Sequence, residues 1–526
     1  MRKQIVKNLF TNYIATAIGV ALGIFLIPFL IHKLGKDAFG LIILAESTIA
    51  LFEVATVSVR IALARYAAFS YAQGRTEEFT GYLGTGRAIL FVSSAFVLLG
   101  GLTVSLFFPS IFRVPPGLAM DSRFLFFFVT LAFSASIPNI VFWSVLYARQ
   151  RFDWINSSLS FGLIARAIGL FFLYSVLPAR FISLTTYGIV YLAMTLTQNG
   201  IIYFGQRKVM PEVHIRVRDF RRQKVKEIIS FSFHTAMGRV SSLLSNDALN
   251  VIINLFWGAI ANTVYSIGCK FPLVINRLFT EATWTLTPTF TELAARDEKE
   301  KMKTLFFVYT KFMTILIVPP VLFLVLMARP IVHLWVGPGF EEAADLLPVL
   351  AFPLVAVIPF AISGCLFNAY GKVKLPSRVS LAAALLNVGL GILFGKTFSQ
   401  GLMGIAVASA AASIFCYGIF SPLYACRIAG ISVREYWVRS FFVPCSWSLC
   451  VTGGCFFFLR ATGLAGHLVF GLMMALALAV LGLSYAGSYF FVLNGSERAR
   501  TNETLSEAVT GFFSSFKKNT EVRPNL

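Results

Sequence analysis

The sequence predicts an all-α polytopic membrane protein of about 14 transmembrane helices, built as two pseudo-symmetric six-helix bundles followed by two further helices. Three observations predict this. Of the 526 residues, 57% are hydrophobic and only 13% charged, with a mean hydropathy of +0.76, which a water-soluble globular chain does not reach. The apolar runs last roughly 20 residues, the length a helix needs to cross about 30 Å of hydrocarbon, and they lack the period-two alternation of a membrane barrel. Basic residues return in every second connection. Without water to satisfy its peptide groups, a spanning segment must hydrogen-bond within itself, so these runs are helices.

Apolar windows bounded by charge, Gly and Pro fall near 12–32, 39–62, 87–109, 123–147, 156–177 and 183–204, and then near 228–257, 259–291, 304–327, 345–369, 377–396, 401–425, 437–459 and 465–493. An even number puts both chain ends on one side. With that side cytoplasmic, 32 of the 45 Lys and Arg lie at cytoplasmic ends and loops, 8 on the opposite side and 5 inside spans. This is the positive-inside bias, and it accounts for most of the net charge of +21 as a topology signal. The basic start, Met1–Asn8, leads into an apolar run longer than a signal-peptide core, with no small-residue cleavage site behind it, and reads as the first span.

The densest basic segment carries Arg207, Lys208, Arg216, Arg218, Arg221, Arg222, Lys224 and Lys226. It is first a linker and orientation determinant, and second a surface that attracts anionic headgroups. No nucleic-acid-binding fold accompanies it, so a nucleic-acid partner is not expected. The expected organisation is an N-terminal bundle over 1–205, a basic cytoplasmic linker over 206–227, a second bundle over 228–425, two extra helices over 426–493 and a cytoplasmic tail over 494–526. The tail has a weak amphipathic stretch around Leu505–Phe516. Two short basic turns suggest the repeat: Tyr147-Ala-Arg-Gln-Arg-Phe-Asp-Trp154 and Ala369-Tyr-Gly-Lys-Val-Lys-Leu-Pro376 each lie between the fourth and fifth spans of their half. Because six spans is an even number, the halves would share one orientation. The seven cysteines lie in or beside apolar runs without CxxC spacing and read as packing residues.

Three motifs carry a resemblance. Leu30-Ile-His-Lys-Leu-Gly-Lys-Asp-Ala-Phe-Gly40 follows the first span, Leu334-Trp-Val-Gly-Pro-Gly-Phe-Glu-Glu-Ala-Ala-Asp-Leu-Leu-Pro-Val-Leu-Ala351 precedes the tenth, and Gly401-Leu-Met-Gly-Ile-Ala-Val-Ala408 opens the twelfth. In this order and spacing they resemble the polysaccharide transporter family, the O-antigen flippases of the multidrug/oligosaccharidyl-lipid/polysaccharide exporter superfamily, over nearly everything before Asn494. The resemblance implies a bacterial inner-membrane flippase that moves undecaprenyl-diphosphate-linked oligosaccharide to the periplasmic leaflet by alternating access. It implies no catalytic activity and no cofactor. The implied partners are the lipid-linked oligosaccharide, membrane lipids, and a polysaccharide polymerase with its chain-length regulator.

Charges inside spans are expensive and usually face a bundle interior or aqueous cavity. The second span holds Glu46, Glu53 and Arg60 at spacings of seven, hence on one helical stripe. Further along lie Arg166, then His234, Arg239 and Asp247, then Lys270, Arg277 and Glu281, and then Lys311. The candidate substrate-binding set is Arg166, Arg239, Lys270, Arg277 and Arg60, since cations hold a diphosphate and the guanidinium fork does so bidentately. The candidate ion-coupling set is Asp247, Glu281, Glu46 and Glu53. Snorkelling is an equal reading for Arg60, His234 and Lys311, and Arg277 with Glu281 also fits a structural intrahelical pair. No Walker A pattern occurs and no cytoplasmic loop is long enough for a nucleotide-binding domain, which leaves secondary or facilitated transport.

Two rivals come from the same superfamily. A multidrug antiporter favours lumenal carboxylates over arginines. A lipid II flippase carries arginine in its first helix, whereas nothing charged lies between Asn12 and Ile31 here. The rival of another class is an integral-membrane glycosyltransferase or polymerase, which needs a large outer loop. The longest outer loops, near Pro109–Arg123 and Met327–Ala344, are short, and Glu341, Glu342 and Asp345 read as helix-start charges.

Overall fold

The computed structural model describes residues 2–493 other than 177, 179–180, 214, 216, 246, 398–400 and 462–469, together with 495 and 498. All regular structure among the described residues is helical, as the hydropathy pattern requires. Each apolar window coincides, in its described part, with one helix or a run of consecutive helices. By length and hydropathy alone, seven described helices qualify as spans, or nine if the bent helical stretches 36–72 and 341–369 each count as one. Polar side chains and internal breaks keep several of the remaining windows below that threshold.

The first twelve helices are α1 (Arg2–Leu34), α2 (Lys36–Ala72), α3 (Thr76–Ile111), α4 (Ala119–Ser136), α5 (Ile140–Ala148), α6 (Phe152–Val176), α7 (Leu184–Val209), α8 (Arg222–Ser245), α9 (Asp247–Trp257), α10 (Ala259–Trp284), α11 (Thr287–Ala295) and α12 (Lys299–Leu326). The chain forms two compact units. One comprises 1–274, 335–346 and 377–412, and the other 275–334, 347–376 and 413–526. In the first, α4 packs against α3 and α7, α6 against α1 and α7, and α2 against α3, α5, α8 and α9. Leu63, Leu83, Leu90, Val141, Val145 and Ile228 are fully buried in its core. In the second, α12 packs against the helices Val443–Ala461 and Phe470–Gly487. There the fully buried Tyr436 stacks on Phe306, with centroids 4.7 Å apart, and its hydroxyl pairs with Thr310 at 2.7 Å, so the polar tip of the ring is satisfied in an apolar setting.

The helix-terminal turns repeat. After α5, Gln150 N–H donates to Tyr147 O and Arg151 N–H to Leu146 O, with Gln150 at φ 54°. After the helix Ser363–Ala369, Gly371 donates to Asn368 and Lys372 to Phe367, with Gly371 at φ 64°. These are the two bonds of a Schellman cap, which satisfies otherwise orphaned carbonyls. The same cap closes α2 through Gly74 and Arg75 and α11 through Asp297 and Glu298. Gly35 before α2 and Gly258 before α10 both have positive φ and donate to the carbonyl four residues back. Three connections of the first half thus share their backbone geometry with the connections six spans later.

The motifs that carried the family resemblance are joints of the first unit. Lys36 donates to the Gly339 carbonyl and its ammonium lies 4.1 Å above the Phe340 ring. Gly339 adopts φ +84°, a conformation side-chain-bearing residues rarely take, and this presents its carbonyl in the turn. At Gly40, a Cβ would lie 1.8 Å from the Ala259 carbonyl oxygen, so α2 and α10 approach at backbone distance.

Connections assigned by charge to one side also meet within this unit. Lys36 and Gly339 belong to the first and ninth connections. Arg113, in the third, donates its backbone N–H to Asn254 Oδ1 and its guanidinium to Phe256 O, both at the end of the span that leads into the seventh. Lys396, in the eleventh, sits over Phe256. At the opposite ends, Arg149 donates to the Tyr71 hydroxyl and Arg87 to Ile215 O, joining even-numbered connections. Odd connections cluster with odd and even with even, which is what alternating spans require. Ile215 is buried and unsuited to labelling, whereas Glu212 and Gly117 are exposed. Cysteines placed at 212 and 117 in a cysteine-free background are expected to label from opposite faces of the membrane, position 212 from the cytoplasm. Labelling of both from one side would overturn the topology.

Candidate functional site

The charged residues that the structure brings together lie on three helices of the first unit, with a fourth supplying tyrosines. Glu46, in the first third of α2, accepts a hydrogen bond from the Tyr187 hydroxyl of α7 at 2.9 Å. The Arg166 guanidinium of α6 stands 3.5 Å from the same carboxylate oxygen. Arg166 also lies over the Tyr191 ring, 5.3 Å from its centroid, and Tyr191 stacks on Tyr187 with centroids 6.4 Å apart. Residues four apart on α7 share a face, so the two tyrosines make one wall. The side chains of Arg166 and Glu46 keep 25% and 40% exposure, so the pair borders an accessible space.

Lys270 of α10 joins from the first helix's side. A Cβ on Gly23 of α1 would lie 2.9 Å from its ammonium, so the cation rests against a bare backbone. It interacts electrostatically with both Glu46 and Arg166. Glu46 is thus in contact with one cation and one phenol, and a second cation lies within electrostatic reach. Glu53 lies seven residues on, about 10 Å along the axis, within electrostatic reach of Tyr191. Chemically, this arrangement can attract an anion, which would compete with Glu46 for Arg166.

The remaining candidates lie elsewhere. Arg60 packs its guanidinium over Trp143, 5.6 Å from the ring, at the far end of the stripe from Glu46. Asp247 opens α9 half-buried, on a helix whose Asn250 donates to Ser47 Oγ at 2.9 Å. Arg277 is exposed on the part of α10 that belongs to the second unit. The side chains of Arg239, His234 and Glu281 lie outside the described residues. Lys311 is buried in α12.

Sequence reasoning missed Tyr187 and Tyr191. Two tyrosines four apart in the middle of a span were the available signal, since a buried phenol needs a partner. Gly23 was also missed; with Gly19 it forms a small-residue face on which another helix's long side chain can lie. Tyr187→Phe is expected to keep the packing and lose the bond to Glu46, lowering transport about two- to tenfold. Unchanged transport would show that the phenol only fills space.

The fold gives the class: a polytopic membrane protein with the fold seen in proteins of the multidrug/oligosaccharidyl-lipid/polysaccharide (MOP) superfamily. The similarities are as follows. The chain matches an inward-facing multidrug resistance MATE family transporter of that superfamily with a TM-score of 0.67 and 14% identity, covering 80% of this chain and 96% of that one. It matches the lipid II flippase MurJ in an inward closed conformation with a TM-score of 0.60 and 14% identity, covering 92% of this chain and 99% of that one. Residues 195–345 match the family described as polysaccharide biosynthesis protein. The chain is 23% identical over 448 residues to the uncharacterized membrane protein EpsK of Bacillus subtilis (strain 168), covering 84% of this chain and 88% of that protein. The resemblance drawn from the sequence, to polysaccharide transporters of the MOP superfamily, is supported by the sequence matches and by the fold.

Proposed function

We propose that the chain is a flippase that carries a polyprenyl-diphosphate-linked oligosaccharide from the cytoplasmic to the periplasmic leaflet of a bacterial inner membrane, with both termini cytoplasmic. The observation that carries this reading is the Arg166–Glu46 pair inside the helices of the first unit, with Lys270 lying against Gly23 within electrostatic reach of both. Two cations and only one paired acid beside an accessible space between helices suit an anionic diphosphate headgroup, and the polysaccharide biosynthesis match over 195–345 points to a saccharide cargo. The halves 1–205 and 228–425 are proposed as the moving repeats, in line with their matching turns. Outward movement of a diphosphate is favoured by an inside-negative potential, about 2.3 kcal/mol per charge per 100 mV. Nothing in this mechanism calls for bond-making, so the reading is of a transporter and not of a glycosyltransferase.

The test is reconstitution into liposomes holding a fluorescent undecaprenyl-diphosphate oligosaccharide, with external quencher added. The quenched fraction is expected to rise from the outer-leaflet share toward the whole. No movement of this probe, in vesicles where a cationic dye is transported, would replace the reading with multidrug export.

A further inference from the structure

At the end of the first unit that gathers the even-numbered connections, an open groove of about 540 Å³ is lined by Tyr66, Gln223, Lys226, Glu227, Ser230 and Phe231. Its volume falls in the range of small-ligand sites. Four of the polar liners recur on α8 at spacings of three and four, so they share one face of the helix. Tyr66 and Phe231 meet edge to face with centroids 5.9 Å apart. Three further contacts hold the frame. Tyr66 stacks on Tyr82 at 4.9 Å, the Tyr82 hydroxyl donates to Glu227 at 2.5 Å, and Lys224 lies 3.5 Å over the Tyr82 ring. Arg65 lies at the rim, 4.6 Å over Phe231.

This lining is divided in kind. A site for phosphate alone is built from cations and backbone N–H groups, and a carboxylate among its liners would repel the ligand. Here an amide, a hydroxyl and a carboxylate stand beside two aromatic rings. That set suits the hydroxyls and the weakly positive C–H faces of a pyranose, because ring faces carry negative charge density. Lys226 in the lining, with Arg65 and Lys224 beside it, adds the positive charge a phosphate needs.

We propose that this groove is a docking site for the phosphorylated sugar headgroup of a membrane glycolipid, engaged before the headgroup reaches Glu46. The proposal rests on the transport reading above and names a second, shallower site for the same cargo. Gln223, Glu227 and Ser230 hold sugar hydroxyls, Tyr66 and Phe231 hold the ring, and Lys226 with Arg65 holds the phosphate. Tyr66 lies up to about 30 Å along α2 from Glu46, so the two sites are separate stations on one helix.

The experiment uses the full chain in nanodiscs of phosphatidylcholine and two probes, farnesyl-diphosphate disaccharide and farnesyl diphosphate. Binding is measured in the wild type and in an Arg166→Ala background, so that the deeper cluster does not mask the groove. Gln223→Ala and Phe231→Ala are expected to weaken the disaccharide probe about three- to tenfold each and to leave farnesyl diphosphate unchanged. Gln223 is exposed, so that variant tests the groove even if Phe231→Ala fails to fold. Disaccharide binding untouched by both variants overturns the groove site while the transport reading stands. Equal weakening of both probes overturns sugar recognition and leaves a phosphate site. No binding of the disaccharide probe to the wild type overturns both readings.

Discussion

Arg166→Ala is expected to lower glycan export about ten- to a hundredfold with the protein's abundance in the membrane unchanged. A charge-assisted hydrogen bond to a phosphate oxygen contributes roughly 1.5 to 3 kcal/mol, which sets that range. The variant removes the guanidinium that stands 3.5 Å from Glu46 and covers Tyr191. It leaves the Tyr187 hydroxyl bonded to the carboxylate, so the acid keeps a partner and the protein is expected to fold. Lysine at the same position should restore export only in part, because a point charge cannot reproduce a planar fork over a ring and beside a carboxylate. Lys270→Ala should give a similar loss. Surface glycan and membrane abundance measured side by side decide the matter. Normal export by both alanine variants, or failure only through loss of the protein, would make the pair structural.

The second large effect is on folding. Gly40→Ala is expected to destabilise the first unit by about 1 to 3 kcal/mol or more, the usual range for an overpacked contact. Its Cβ would meet the Ala259 carbonyl oxygen at 1.8 Å and the carbonyl carbon at 2.6 Å. Both are backbone atoms, so no side-chain rotation relieves the clash and the helices must separate. Separation would also stretch the 2.6 Å bond from the Thr263 hydroxyl to the Lys36 carbonyl. Lower melting temperature and a smaller monodisperse fraction on size exclusion are the readouts. Gly117→Ala, where nothing lies within 4 Å, is the control expected to be neutral. Wild-type stability of Gly40→Ala would show that α2 and α10 do not approach at backbone distance.

Arg166, Lys270 and Glu46 were legible because a charge inside a span stands out against hydrocarbon, whatever its neighbours are. Which charge meets which was not legible. The spacing of seven would put Glu46, Glu53 and Arg60 on one stripe of a straight helix, but α2 bends between Glu53 and Arg60, and Arg60 meets Trp143 while Glu46 meets Arg166. Gly40 and Gly339 were legible as motif letters only. Their reasons are a close approach to α10 and a positive-φ turn that offers a carbonyl to Lys36.

By itself, the sequence determined that the chain is helical and membrane-spanning, which connections share a side, and which few ionisable groups lie within its apolar runs. Each of these follows from hydrophobicity, local spacing or charge counted along one dimension. Only the tertiary structure decided that Glu46 serves Arg166 and Tyr187 together, that Lys270 lies against Gly23, and that Tyr66 and Phe231 wall a groove with α8. Those contacts join residues more than a hundred positions apart, and helix packing, which depends on side-chain shape on faces that periodicity leaves equivalent, fixes them.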